Sequence, residues 1–198
     1  MPDQPSFPGL EPKAPAPRRD RLFFAVFPDP EAAASITDLA ERLRVEHGLT
    51  GQPLRPERLH VTINHLGDFD GVPEDIASAA REAGAAVSAA PFNATFDYAM
   101  SFKGRANNFP FVLRGDGGVA DLIGFQQALG AQMLKAGLGR SVEKSFTPHV
   151  TMLYDRKLVG ETPVEEIRWT VRELILVHSL LGQGRHEPLG RWPLGGAG

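Results

Sequence analysis

The chain contains no cysteine, and in 198 residues it has only two tryptophans and two tyrosines. The absence of cysteine excludes disulfide bonds, thiolate nucleophiles and zinc sites with cysteine ligands. A metal ion would therefore need histidine and carboxylate ligands. No apolar run approaches the roughly 18 residues that cross a bilayer, and the N-terminus has no basic segment followed by an apolar one. We therefore expect a cytoplasmic protein with no membrane partner.

The chain also lacks an excess of positive charge, since it has 21 lysines and arginines and 24 acidic residues, giving a net charge of -3. The chain lacks the basic excess that is typical of a general nucleic-acid binder. A local basic site stays open as an interpretation, formed by lysines and arginines near the motifs described below. These are Arg55, Arg58, Lys103, Arg105, Lys144, Arg156, Arg185 and Arg191.

Proline is concentrated at the N-terminus, where residues 1–20 contain six prolines and few large apolar side chains. Such a segment buries too little apolar surface to offset the entropy of ordering it. We therefore expect a disordered tail over 1–20. The remaining residues, 21–198, are predicted to form one domain.

Hydrophobic patterning in this domain indicates both strands and helices. The apolar run 22–27 predicts a strand buried on both faces. Asp29 followed by Pro30 predicts the cap of a helix that ends at Gly48. The other predicted elements are helices at 73–89 and 122–136 and strands at 59–66, 92–98, 111–114, 149–154 and 169–178. This mixture predicts an α+β fold with two similar lobes.

The most informative motif is His-Val-Thr, which begins at His60 and again at His149. Each copy lies in a predicted strand, where side chains alternate between two faces. His60 and Thr62 therefore share one face, as do His149 and Thr151, while the valine between them packs into the core. If both strands line one cleft, two imidazoles and two hydroxyls meet in a small volume.

These side chains have the composition of a phosphate site. Opening a cyclic phosphodiester needs a base for water, an acid for the departing sugar oxygen and donors for the non-bridging oxygens. Histidine titrates near neutral pH, so one imidazole can be neutral while the other is protonated. A single H-x-T sequence in a strand is common and does not by itself indicate catalysis. The second copy favours His60 and His149 as an acid/base pair, with Thr62 and Thr151 as phosphate ligands.

The other histidines carry weaker signals. Alternation places His65 on the opposite face from His60 unless a bulge intervenes, and we interpret it as structural. His178 lies in an apolar strand and is expected to be a hydrogen-bonded core or edge residue. His47 and His186 fall in predicted turns or surface segments.

Four segments carry a resemblance to a known family. They are RLFFAVFPDPEAAASI, RPERLHVTINHLGDF, FTPHVTMLYD, and the closing W-x-V-x-E-L-I-L-V-x-S-x-x-G with L-G-R-W-P-L. Together they resemble the 2H phosphoesterases, and within them the bacterial and archaeal 2′-5′ RNA ligases, also known as RNA 2′,3′-cyclic phosphodiesterases. The resemblance covers nearly all of the chain after the proline-rich tail.

The resemblance implies a bilobal α+β fold with a pseudo-twofold axis, antiparallel sheets lining a central cleft and helices outside. It implies hydrolysis of RNA 2′,3′-cyclic phosphate ends to a 2′-phosphate, with 2′-5′ ligation as a side activity. By motif position His60 would protonate the leaving 3′-oxygen, His149 would activate water, and Thr62 and Thr151 would hold the phosphate. The resemblance implies no cofactor and no metal, and we expect a monomer.

Two features depart from the family pattern. Many relatives have a tyrosine after S-x-x-G, where this chain reads Gln183-Gly184-Arg185-His186. The segment SFKGRANNFPF also differs from that of relatives and offers candidate nucleotide contacts, although an ordinary surface loop is an equally good interpretation. The candidates, which could stack on a base or bind phosphate, are Phe102, Lys103, Arg105 and Asn108.

Alternative functions remain open from the sequence. The same chemistry could act on a small cyclic nucleotide or an ADP-ribose cyclic phosphate in place of RNA ends. A binding module of the same fold could capture nucleotides or RNA ends without turnover, although binding alone does not require two titrating groups. A metal-dependent hydrolase is disfavoured because no second cluster of histidines or carboxylates stands at ligand spacing.

Overall fold

The computed structural model describes residues 19–195, so 1–18, most of the predicted disordered tail, lies outside the described residues. Within 19–195 the chain forms eight strands and three α-helices. In chain order they are β1 (Asp20–Val26), α1 (Pro30–Glu46), β2 (Val61–Phe69), α2 (Glu74–Ala86), β3 (Phe92–Ser101), β4 (Phe109–Arg114), α3 (Ala120–Lys135), β5 (His149–Asp155), β6 (Thr162–Val171), β7 (Glu173–Leu180) and β8 (Arg185–Pro193).

The strands form two four-stranded antiparallel sheets, which confirms the predicted α+β class. The first sheet has the order β2-β1-β7-β8 and the second has the order β5-β4-β3-β6. Each His-Val-Thr strand is the edge strand of its own sheet, and β2 and β5 lie close to each other. The units β1-α1-β2 and β4-α3-β5 repeat the same order of elements, so the two motif strands occupy equivalent positions.

The local signals at the first strand and helix are confirmed. Asp29 accepts a 2.9 Å hydrogen bond from the Ala32 N–H, Pro30 is the first helical residue, and α1 ends at Glu46. Gly48 follows with a φ of 60°, a left-handed conformation that glycine adopts without steric cost. The apolar faces of α1 and α3 pack into the main core together with residues from both sheets.

Strand β1 is buried on both faces, as its apolar run predicts. Leu22 and Phe24 belong to the main core, whereas Phe23 and Ala25 join a small cluster with Ile175 on the other face of the first sheet. The second face is the one that continues into the cleft between the sheets.

Three expectations about the elements are wrong. The predicted strand 169–178 is two strands, β6 and β7, which are separated at the exposed Arg172. Strand β8 was not expected, because its sequence RHEPLGRWP contains glycine and proline and no apolar alternation. Proline is tolerated there because β8 is an edge strand. Asp20, assigned to the tail, is the first residue of β1 and accepts hydrogen bonds from the Gly71 N–H and from His178.

Candidate active site

The cleft between β2 and β5 brings the four motif side chains together. His60, Thr62, His149 and Thr151 line one cavity of about 450 Å³. Between each pair the valine side chain points the other way and is fully buried in the core. The alternation predicted from the sequence therefore holds over each His-Val-Thr segment.

The two imidazoles are held by the same kind of hydrogen bond. Nδ1 of His60 lies 2.7 Å from the carbonyl oxygen of Arg58, and Nδ1 of His149 lies 2.8 Å from that of Thr147. A carbonyl can only accept, so each Nδ1 carries the proton and donates it. In both rings Nε2 is therefore left as the atom available to a molecule in the cleft, either as a lone pair or as a second N–H.

The surroundings of the two rings differ. His60 stacks on Phe23 with 5.0 Å between ring centroids and is met edge-on by His186 at 5.2 Å, whereas His149 meets Phe102 edge-on at 5.0 Å. Burial lowers the pKa of His60 to about 4; the hydrogen bond to Arg58 opposes this, and nearby His186 adds to it. Burial also lowers the pKa of His149.

His65 lies on the cleft side of β2, so the expectation that it faces away from His60 is wrong. Phe24 pairs with Asn64, but the next residue, Ala25, pairs with Thr62, so one extra residue is inserted into β2 at this point. The bulge shifts the alternation by one position. His65 therefore returns to the cleft and lines the same cavity as Thr62.

Strand β5 contains a matching bulge. Val112 pairs with Thr151, but the preceding residue, Phe111, pairs with Leu153, which again leaves one extra residue after the threonine. Tyr154 thereby reaches the cleft at the position equivalent to His65 in the other strand. Its side chain is 44% exposed, so the ring is accessible from the cleft.

A charged group stands beside His65. Nε2 of His65 lies 3.2 Å from Asp68, which also accepts two hydrogen bonds from Arg21, at 2.6 and 2.8 Å. The hydrogen bonds from Arg21 lower the pKa of Asp68 to about 2, although partial burial opposes this. Asp68 is therefore ionised and orients both Arg21 and His65, which line the cavity.

Sequence reasoning missed His186. The residue lies in β8, beside His60, and its Nδ1 is buried with no hydrogen-bond partner in 19–195. The signal available was the departure from the family tyrosine in this stretch. The sequence indicated a turn or surface segment here because β8 lacks alternation.

The expectation that His178 is a hydrogen-bonded residue of its strand is confirmed, since its Nε2 lies 2.7 Å from Asp20.

The candidate contacts in the loop after β3 separate into two groups. Phe102 lies against His149, and the Arg114 guanidinium lies 5.7 Å from the centroid of the Phe102 ring. Lys103, Arg105 and Asn108 are exposed in a short turn, and none of the four candidates, Phe102 included, is among the residues that line the cavity.

Two further properties concern the described part of the chain. In 19–195 no three histidine or carboxylate side chains are grouped so that they could hold a metal ion. Over the same range no helix is both long and apolar enough to cross a membrane.

Two antiparallel sheets with paired H-x-T edge strands at a shared cleft define a phosphoesterase of the two-histidine class. Comparison with protein families agrees, because the model described as the 2'-5' RNA ligase superfamily matches residues 27–183. The chain belongs to the 2′-5′ RNA ligase superfamily, which confirms the resemblance seen in its sequence. Comparison with curated protein sequences finds no significant match.

Solved structures support the same fold. A structure described only as a phosphoesterase is 25% identical, with a TM-score of 0.67, and the match covers 88% of this chain and 98% of the other. Escherichia coli LigT, in a complex with NADP+, is 26% identical with a TM-score of 0.67, covering 89% and 98%. The TT0787 protein of Thermus thermophilus is 23% identical with a TM-score of 0.69, covering 87% and 97%, and shows the fold alone.

Proposed function

We propose that the protein hydrolyses RNA 2′,3′-cyclic phosphate ends to 2′-phosphates by metal-independent acid/base catalysis, with 2′-5′ ligation of RNA ends as a side activity. The observation that carries the proposal is the equivalent tethering of His60 and His149. Two imidazoles with free Nε2 atoms and two threonine hydroxyls in one cavity are the groups that this reaction needs.

The reaction divides its proton transfers between the two rings. A neutral imidazole takes a proton from water through Nε2 as the water oxygen attacks phosphorus. A protonated imidazole gives its Nε2 proton to the 3′-oxygen as the bond between phosphorus and that oxygen breaks. The hydroxyls of Thr62 and Thr151 donate hydrogen bonds to the non-bridging oxygens, where negative charge builds up.

The family pattern gives the acid role to His60 and the base role to His149, and both assignments stay predictions. In the free protein the pKa of His60 is lowered more than that of His149. This difference by itself makes His149 the ring that is more readily protonated. A bound phosphate raises the pKa of whichever imidazole it contacts. The assignment therefore depends on which Nε2 lies nearer to the departing oxygen.

Known ligands of a related protein support a nucleotide substrate. Escherichia coli LigT has been solved in complexes with phosphate and with 3'-AMP, at 26% identity to this chain. In this chain the exposed ring of Tyr154 lies at the cleft, where it can stack on a base. The Arg21 and His65 side chains, which line the same cavity, supply hydrogen-bond donors.

The test is hydrolysis of an RNA ending in a 2′,3′-cyclic phosphate, in the presence of EDTA, with chromatographic identification of the product. A 2′-phosphate is expected. Loss of activity on chelation would contradict the metal-independent mechanism, and a 3′-phosphate product would contradict the assigned leaving oxygen. Hydrolysis of cyclic nucleotides or ADP-ribose cyclic phosphate without hydrolysis of RNA ends would assign the chemistry to a small molecule. Binding without turnover would indicate a binding module.

A further inference from the structure

A second cavity adjoins the catalytic cleft. It has a volume of about 400 Å³ and is formed by Arg58 together with the end of β7 and the turn to β8, residues 179–184. Arg58, Ser179 and Leu181 line both this cavity and the catalytic cleft. A molecule in the cleft can therefore extend into the second cavity past these three residues.

Among the described residues the charge of Arg58 has no counter-ion nearby. Among residues 19–195 no carboxylate lies within ion-pair distance of Arg58, and its Nε is buried without a hydrogen-bond partner. By contrast Arg21, which also lines the cleft, is paired with Asp68. A partly buried guanidinium without an anion is costly, which indicates that a ligand supplies the negative charge.

A second guanidinium reaches the same turn. Arg55 donates a 3.2 Å hydrogen bond to the Gly184 carbonyl and is paired with Glu57 at 3.1 Å. A Cβ atom at Gly184 would lie 3.7 Å from Nη1 of Arg58 and 3.9 Å from Nη2 of Arg55, so both guanidinium groups meet at this glycine. Two arginines and one glutamate leave a single net positive charge, which suits a singly charged phosphodiester.

The position of Arg58 relative to His60 follows from their short separation in the chain. Arg58 stands two residues before His60, and its carbonyl holds the His60 ring while its side chain lines both cavities. We infer that Arg58 and the turn 179–184 form a subsite for the phosphodiester next to the cyclic phosphate, so that the preferred substrate is an RNA end of at least two nucleotides. The inference rests on the proposed function and adds the substrate class to it.

The experiment compares two substrates that differ by one phosphodiester. A dinucleotide ending in a 2′,3′-cyclic phosphate has this group, and the cyclic mononucleotide with the same base lacks it. The unchanged protein is expected to have the higher kcat/KM on the dinucleotide. Because the additional contact is ionic, a plot of log kcat/KM against log salt concentration should be steeper for the dinucleotide, by about 0.7 for one phosphate of a single strand.

Substitutions then locate the contact. Arg58→Gln is expected to lower the ratio of kcat/KM values, dinucleotide over mononucleotide, by about tenfold, because it removes a charged hydrogen bond to phosphate. Arg55→Gln should lower the ratio by a smaller factor, and Arg58→Lys should restore part of it. The matched control is Arg42→Gln on the exposed side of α1, which removes the same charge far from the cleft and should leave the ratio unchanged.

Several results would overturn the subsite while the proposed function stands. These are equal kcat/KM values for the two substrates in the unchanged protein, or a fall by the same factor on both substrates in Arg58→Gln and Arg55→Gln. A fall of the ratio in Arg42→Gln equal to that in Arg58→Gln would show general charge attraction and would also overturn it. Failure of the proposed function would appear differently, as no hydrolysis of either substrate or as hydrolysis of the mononucleotide alone, and would remove the subsite with it.

Discussion

Single residues determine the protonation states available in the cleft. Both imidazoles donate through Nδ1, and burial lowers the pKa of each ring, to about 4 for His60. Histidines with lowered pKa values are neutral at pH 7. The combination of one neutral and one protonated ring is therefore most populated in the free protein at a mildly acidic pH.

The dependence of kcat/KM on pH tests this electrostatic environment. Because kcat/KM reports the free enzyme, it should follow a bell that rises from about pH 4 and begins to decline on the acidic side of the ordinary imidazole pKa, because burial also lowers the pKa of the ring that loses the remaining proton. The bell for kcat should lie at higher pH, because the bound phosphate raises both pKa values. Steady-state rates with a cyclic nucleotide across this range provide the measurement. A kcat/KM that keeps rising above pH 8 would contradict the account.

Tyr154 offers a second prediction for a single residue. Replacing Tyr154 by alanine removes the stacking surface for a base and should raise KM about tenfold, since one base–aromatic contact contributes about 1–3 kcal/mol. Tyr154→Phe keeps the ring and should stay close to the unchanged protein. Kinetics with cyclic nucleotides provide the measurement. If Tyr154→Phe raised KM as much as Tyr154→Ala does, the hydroxyl, and not the ring, would make the contact.

At the scale of elements, the end of β5 holds the segment that leads to His60. Asp155 accepts hydrogen bonds from the backbone N–H groups of Thr50, Gly51 and Lys157, at 2.6, 2.7 and 2.8 Å. Burial raises the pKa of Asp155, but these hydrogen bonds outweigh it and bring the value to about 2. The carboxylate thus ties the chain after α1 to the second sheet.

Asp155→Ala is expected to lower the free energy of unfolding by about 2–4 kcal/mol, because three backbone donors lose a charged acceptor. Denaturant unfolding monitored by circular dichroism gives the value. An exposed carboxylate such as Asp38 on α1 serves as the control, and its replacement by alanine should change stability by less than about 0.5 kcal/mol. A loss at Asp155 no larger than at Asp38 would contradict this role.

The elements also show what could be predicted from the sequence. β1 and α1 have strong local signals, an apolar run and an Asp-Pro cap, and both were predicted. β8 was missed because an edge strand with glycine and proline has no alternation. The bulges in β2 and β5 depend on pairing with β1 and β4, which the local sequence does not encode. His60, Thr62 and their counterparts could therefore be predicted as a group, whereas His65, Tyr154 and His186 could not.

At the scale of the molecule, the two sheets share one hydrophobic core. Helix α1 connects two strands of the first sheet but contacts β5 and β6 of the second, and α3 contacts β2 as well as β3. Residues from both sheets belong to the same buried cluster. We therefore propose that 21–198 is a single cooperative unit, and the two tryptophans allow this to be tested.

Trp169 lies in the second sheet, stacked on Phe96, and Trp192 lies in the first sheet, near Phe24. Trp169→Phe and Trp192→Phe leave one fluorescent reporter in each sheet. Within each variant, the fluorescence transition in denaturant should coincide with the loss of circular dichroism, as a two-state transition requires. Separate transitions would show that the sheets unfold independently.

The central claim is that His60 and His149 act together in one step. Its most direct test is the kcat/KM for hydrolysis of an RNA 2′,3′-cyclic phosphate by His60→Ala, His149→Ala and the double variant, in EDTA, with His47→Ala as a control outside the cleft. Each single substitution should lower kcat/KM by a factor of about 10²–10⁴. The double variant should be little worse than either, because the groups act as a unit. A cleft variant that keeps kcat/KM within a few-fold of the unchanged protein would contradict the account.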